Sequence, residues 1–308
     1  MNSFPRRQFL QLSGVAALTG MAGSGWAEDR FKRNTSRICG LSMSSFSLKS
    51  QMKWWWGEKT EGKLDLMDFL DYCAELGLDA AELTSYFFPG QVTRRYLHQL
   101  KRRAYVLGLD ISGGAMGNNF GHPPESDEAQ EQMKYFQTWI DHFAEIGAPV
   151  VRVFATRGKF KGVTEEEILS NVMANLELAL PYAEKRGVML GLENHDFLQN
   201  VDYLVQIMKT IDSPWLNVMW DSANLKPTPD PYAELAKIAP YAVVAQVKVM
   251  THVNGEPAPA DFGRMIQILN DAHYRGYLVL EYEEKEDPYT AIPHFLNDVR
   301  TALEEPVA

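Results

Sequence analysis

The chain has 308 residues, 45% of them hydrophobic and 23% charged, with two cysteines and a net charge of −10. This balance excludes wholesale disorder, collagen and coiled coil, and a chain of this length buries roughly 75% of its unfolded surface without a disulfide scaffold. An acidic surface repels phosphate backbones, which excludes nucleic acid as a partner.

The start carries Arg6-Arg7, then a weakly apolar run from Leu12 to Met21, then the small residues around Gly25-Trp26-Ala27. This pattern reads as a twin-arginine export signal over residues 1–27, with a periplasmic destination. The run is too short to span a bilayer stably. Residues 28–308 are expected to form one domain. β-rich runs follow at Ile38–Ser44, Ala80–Thr84, Asp110–Gly114, Val150–Ala155, Val188–Glu193, Asn217–Asp221, Val243–Val249 and Leu278–Glu283. Helical stripes separate them. Leu66, Leu70, Cys73 and Leu76 share one face, and Thr164 with Glu167 forms a capping box for a helix that runs to Arg186 through Pro181. Leu204, Ile207, Met208 and Ile211 form a later stripe, and Phe262–Ala272 another. Eight strand–helix repeats predict a single (β/α)8 TIM barrel. Cys39, in a strand, and Cys73, on a helical apolar face, are expected to be buried free thiols.

Strand residues alternate between faces. Leu190 and Leu192 oppose Glu193, Trp220 opposes Asp221, and Val243, Ala245 and Val247 oppose Val244, Gln246 and Lys248. Leu278, Leu280 and Tyr282 oppose Val279, Glu281 and Glu283. The apolar set suits helix packing. The polar set gathers at the C-terminal ends of strands, where active sites of such barrels lie. Glu193, Asp221, Gln246 and Glu281 come from four successive strands, so their side chains can meet at one mouth. Three converging carboxylates repel one another unless a cation neutralises them. An oxygen-rich donor set suits one Mg²⁺ or Mn²⁺, with Co²⁺ or Zn²⁺ as second choices.

The segments Gly191-Leu192-Glu193-Asn194-His195, Trp220-Asp221-Ser222-Ala223-Asn224, Gln246-Val247-Lys248 and Tyr274–Tyr282 resemble the xylose isomerase-like barrel superfamily, especially its sugar phosphate isomerase/epimerase branch. The resemblance covers residues 38–303. It implies one divalent cation bound by Glu, Asp, His and Glu at these strand ends; Glu193, Asp221 and Glu281 match, and Gln246 stands where many members have His. It also implies that Glu193 and Glu281 carry protons to and from a sugar carbon through an enediolate. Epimerisation, aldose–ketose isomerisation and elimination all share that intermediate. Export argues for an unphosphorylated small-molecule sugar. A lyase or hydratase of 3-keto-glycosides and a non-catalytic carbohydrate-binding barrel are the alternatives, and a homo-oligomer stays open. Around the mouth, His195, Lys248, Arg152, Glu82 and Trp55 are the candidates for substrate contact. For Arg152 and Glu82, an internal ion pair with each other is the competing expectation.

Overall fold

The structure, a computed structural model, describes residue 33 and residues 35–304. The expected export segment and the boundary at residue 28 lie outside the described residues. All eight expected strands form: β1 Arg37–Ser44, β2 Ala80–Thr84, β3 Asp110–Ala115, β4 Val150–Val153, β5 Met189–Glu193, β6 Leu216–Asp221, β7 Ala242–Val247 and β8 Arg275–Leu280. They pair in parallel and close in the order β1-β8-β7-β6-β5-β4-β3-β2. Helices α1 Leu66–Glu75, α2 Arg94–Leu107, α3 Asp127–Ile146, α4 Glu165–Arg186, α5 Val201–Thr210, α6 Pro231–Ile238, α7 Phe262–Asp271 and α8 Pro288–Glu304 follow the strands. This is a single (β/α)8 TIM barrel. Among the described residues no helix is long and apolar enough to cross a membrane.

Local chemistry sets the element ends. The side chain of Thr164 accepts from Glu167 N while Glu167 Oε2 accepts from Thr164 N at 2.8 Å, the expected capping box. α4 runs through Pro181 and stops where Gly187 turns left-handed at φ +69. β8 begins and ends three residues before the expected bounds. Glu281 N still donates to Val247 O, but Tyr282 N turns to the side chain of Ser47 at 3.0 Å, which ends the ladder. Two small hairpins decorate the mouth: Trp54–Trp55 with Glu58–Lys59, and Met250–Val253 with Glu256–Pro259.

The alternation holds through most of the barrel. Leu190, Leu192, Trp220, Ala245, Val247 and Leu278 join the core between strands and helices. Val150, Met219, Val244 and Val279 form a separate apolar layer inside the barrel, and polar side chains stand above it. Two expectations need correction, both at bulges. The register slips between Val218 and Met219, opposite Ala242 and Val244, and Val243 packs against the interior layer instead of the outer core. The register also slips between Ile38 and Gly40, which leaves Cys39 exposed; Cys73 is buried as expected.

Candidate active site at the barrel mouth

Glu193 and Asp221 are the last residues of β5 and β6, Gln246 is next to last in β7, and Glu281 directly follows β8. All four are buried. A side-chain clamp shapes the β5 and β6 ends. Asn194 Oδ1 accepts from Asp221 N at 2.8 Å, and Asn194 Nδ2 donates to the carbonyls of Asp221 and Asn224. Asp221 Oδ1 accepts from the backbone N–H groups of Ala223 and Asn224 at 2.8 and 2.9 Å. That local turn folds Asn224 back, and its Nδ2 donates to Glu193 Oε1 at 3.0 Å.

The charges fall into two groups. Arg152 Nη1 lies 2.8 Å from Glu193 Oε2, Nη2 donates to Tyr86 Oη, and the guanidinium covers the ring of Phe154 at 3.8 Å. Lys248 Nζ stands 3.2 Å from Asp221 Oδ2, 3.1 Å from Glu281 Oε2 and 2.5 Å from Glu283 Oε2. Gln246 Nε2 donates to Glu82 Oε1 at 2.9 Å and to Glu281 Oε1 at 3.4 Å. Burial, the largest single influence, would raise the carboxyl of Glu193, but Arg152, His195 and Lys248 together outweigh it and hold Glu193 below the ordinary range. Glu281 goes the other way. Burial lifts it to about 7, with Lys248 offsetting part of the rise and Glu283 and Asp221 adding to it. Burial and the neighbouring Glu281 lift Glu82 to about 8.

These side chains open on a cavity of about 250 Å³, lined on one side by Glu193, His195, Asn224, Lys248 and Glu281 and on the other by Phe46, Trp55, Trp56 and Tyr86. Trp56 stacks on Tyr86 with ring centroids 4.3 Å apart and receives the Arg157 guanidinium at 4.7 Å. A methyl group at Gly117, in the loop after β3, would collide with Trp56 and Tyr86. Trp55 keeps 41% of its surface exposed and meets Tyr86 edge-on.

The structure brings Glu82, Arg152, Lys248 and His195 to the same mouth as the four strand-end residues. The expected ion pair between Arg152 and Glu82 does not form, because Arg152 reaches Glu193 and Glu82 takes the Gln246 amide. His195 rests on the ring of Phe154 at 4.6 Å, with Nδ1 3.5 Å from Asp196 Oδ2. Burial would lower its pKa, but Asp196 and Glu193 raise it overall. Asp196 adopts φ +46, an unusual backbone for a residue with a side chain, and its Oδ2 also accepts from Gly158 N. The sequence reading gave no role to Tyr86, Asn194, Asn224, Asp196 or Glu283. Asn224 and Glu283 had a usable signal: one lies three residues past a strand-end Asp, the other in phase with Glu281.

The donor chemistry fits a hard divalent ion. Among the described residues, the acidic groups Glu82, Glu193, Asp221, Glu281 and Glu283 outnumber the basic groups Arg152, Lys248, His195 and Lys49 that face them. Both hydrogens of the Gln246 amide point at carboxylates, which leaves its oxygen as the atom for a cation. Asp221 Oδ2 receives no hydrogen bond. Among the described residues no three acidic, histidine or cysteine side chains are already gathered as a ligand set; the ammonium of Lys248 stands among the acids instead.

A family model described as xylose isomerase-like TIM barrel matches residues 70–299. A 3-oxo-isoapionate decarboxylase of Pectobacterium atrosepticum is 24% identical over 171 residues, 56% of this chain and 55% of the relative. The chain thus spans about half the length of that curated relative. Among solved structures, D-psicose 3-epimerase from Clostridium cellulolyticum superposes with a TM-score of 0.69 at 14% identity, over 86% of this chain and 100% of the other. A xylose isomerase-like protein from Mycobacterium smegmatis, in complex with magnesium, gives 0.68 at 15% identity, over 87% and 98%. The 3-keto-D-glucoside 4-epimerase of E. coli gives 0.62 at 17% identity, over 81% and 99%. The likeness to these structures is one of fold, and the residue-level match of the family model extends from α1 to α8. The chain belongs to the xylose isomerase-like TIM barrel family.

Proposed function

We propose that the barrel mouth removes and returns a proton beside the carbonyl of an unphosphorylated sugar, as an isomerase or epimerase working through an enediolate. One observation carries this reading: Glu193 and Glu281 line the same small cavity, one from the end of β5 beside Arg152 and the other from the end of β8 beside Lys248. Two carboxyl groups that reach one carbon can divide the work of base and acid. Glu193, fixed by Arg152 and Asn224 and kept ionised, takes the proton from carbon. Glu281, held between Lys248 and the Gln246 amide at the end of β8, returns one. Return to the same carbon gives the epimer, and return to the neighbouring carbon exchanges aldose and ketose. A divalent ion held by Glu193, Asp221, Gln246 and Glu281 would polarise the carbonyl and stabilise the developing negative charge. His195, poised by Asp196, and Lys248 are placed to hydrogen-bond substrate oxygens, and the exposed face of Trp55 suits the apolar C–H face of a sugar ring.

Several comparisons support the reading. Two structural neighbours are named as sugar epimerases and a third binds magnesium. The decarboxylase relative is named for loss of a carboxyl group from a 3-oxo acid, a reaction that also leaves an enolate. The export segment expected at residues 1–27 favours a substrate without phosphate. A second reading, elimination or hydration on a 3-keto-glycoside, is favoured by the aromatic wall of Phe46, Trp55, Trp56 and Tyr86, which offers a surface for a group beyond the reacting ring. The test is incubation of Mn²⁺-loaded protein with free sugars and with 3-keto-glycosides in D₂O, followed by NMR. Deuterium should appear on the carbon beside the carbonyl. Failure to exchange with either class would sink both readings, and release of the aglycone without a rearranged sugar would select the second.

A further inference from the structure

We propose that Lys248 is a built-in counter-ion of this site, an ammonium that holds the place of the divalent ion and gives way when the ion arrives. The inference rests on the divalent ion of the proposed function. Lys248 is nearly buried, with 10% of its side chain exposed, and its Nζ is shared by three carboxylates. The three contacts are not alike. Nζ donates a hydrogen bond to Glu283 Oε2 at 2.5 Å, whereas Asp221 Oδ2, at 3.2 Å, has no hydrogen-bond partner. Asp221 thus holds the ammonium by charge alone. Its carboxylate is fully buried, while the Glu283 side chain is 32% exposed at the rim and also faces Lys49 at 3.6 Å.

The stem of Lys248 suits an exchange. Its backbone N–H donates to Ser222 Oγ at 2.9 Å, and Ser222 N donates to Gln246 O, so its root is fixed to the end of the barrel. The four-carbon chain beyond that root is flexible, and Glu283 gives the ammonium a shallower partner to keep. A compact single charge cannot neutralise the surrounding acids, and a divalent ion replaces it with twice the charge. Without Lys248, the cation-free barrel would press unshielded carboxylates together. The ammonium therefore stabilises the fold before the ion binds and competes with it afterwards.

The experiment compares Mn²⁺ binding, by electron paramagnetic resonance and calorimetry, to the chelator-treated full chain and to its Lys248→Met variant. Removing a like charge this close to the ion should tighten binding by about tenfold or more. Equal affinities would overturn the proposal while leaving a metal site in place, and weaker binding by the variant would show that Lys248 assists the ion. If neither protein binds Mn²⁺, the divalent-ion reading fails and takes this inference with it. A second measurement needs no variant. Pulse labelling of lysines with an acetylating reagent, read by peptide mass spectrometry, should show Lys248 slow in the cation-free protein and faster once Mn²⁺ is added. Unchanged labelling in a protein that binds Mn²⁺ overturns the exchange.

Discussion

Arg152 and Glu193 form a buried ion pair inside the barrel, guanidinium nitrogen to carboxylate oxygen at 2.8 Å, with only 9% and 3% of their side chains exposed. The pair joins neighbouring strands β4 and β5, and its geometry is fixed from both ends. Phe154 lies under the guanidinium, and Asn224 holds the free carboxylate oxygen. Breaking one half of such a pair leaves an uncompensated charge out of reach of water. Arg152→Met should therefore lower unfolding stability by about 3–5 kcal/mol in urea titrations at neutral pH. Adding Glu193→Gln should recover part of that loss, because the stranded charge goes with it. A double variant no more stable than Arg152→Met would mean that packing on Phe154, not charge, carries the effect.

The two glutamates and Asp221 should separate in their responses. Glu193→Gln and Glu281→Gln keep an amide oxygen for a cation but no group to exchange protons, so turnover should drop by roughly 10²-fold or more with some Mn²⁺ affinity retained. Asp221→Asn should lose affinity and turnover together, since Asp221 is given no proton to move. Solvent-deuterium exchange on metal-saturated variants distinguishes the cases. Exchange at the wild-type rate in both Glu→Gln proteins would remove them as bases and leave His195 to be tested.

Glu82 sets a pH dependence of stability in the chelator-treated protein. Burial and Glu281 raise its carboxyl to about 8 in the fold, against an ordinary value near 4.5 in the unfolded chain. Below the lower value both states hold the proton, and Glu82 contributes nothing. Between the two, the folded state keeps a proton that the unfolded state has released, so stability falls as pH rises. Above about 8 the penalty is complete. Glu82→Gln, which can still accept from the Gln246 amide, removes this slope. Its denaturation midpoint should gain on the wild type from pH 5 to pH 8.5, and parallel curves over that range would refute the assignment.

Gln246 gives a test of metal preference. An amide oxygen is a weaker donor than imidazole for late transition metals. Gln246→His should raise affinity for Co²⁺ or Zn²⁺, with Glu82 accepting the ring N–H that the amide now supplies. Unchanged or lower affinity in calorimetry would place residue 246 outside the ligand set.

Sequence periodicity made the architecture legible because alternation of side chains along a strand is a local property. The polar phase of Glu193, Asp221, Gln246, Lys248 and Glu281 led directly to the mouth. Cys39 and Val243 were misplaced because a bulge inserts one residue without any composition signal. The partner of Arg152 was not legible either: Glu82, two strands away on β2, and Glu193, on the neighbouring β5, both point into the barrel, and only the three-dimensional arrangement chooses between them. Asn194 and Asn224 went unassigned because an asparagine beside a strand-end acid reads as an ordinary turn residue until both ends of its hydrogen bonds are seen.

The packing of Trp56 against Gly117 fixes one flank of the mouth. The indole belongs to the loop after β1 and the glycine to the loop after β3, with Tyr86 of the intervening loop in contact with both. Three consecutive loops are thereby keyed together, and any side chain at position 117 would pick the lock. That flank of the mouth is a fixed doorpost beside the cavity, and it faces the loops after β6 and β7, which carry Asn224 and Lys248.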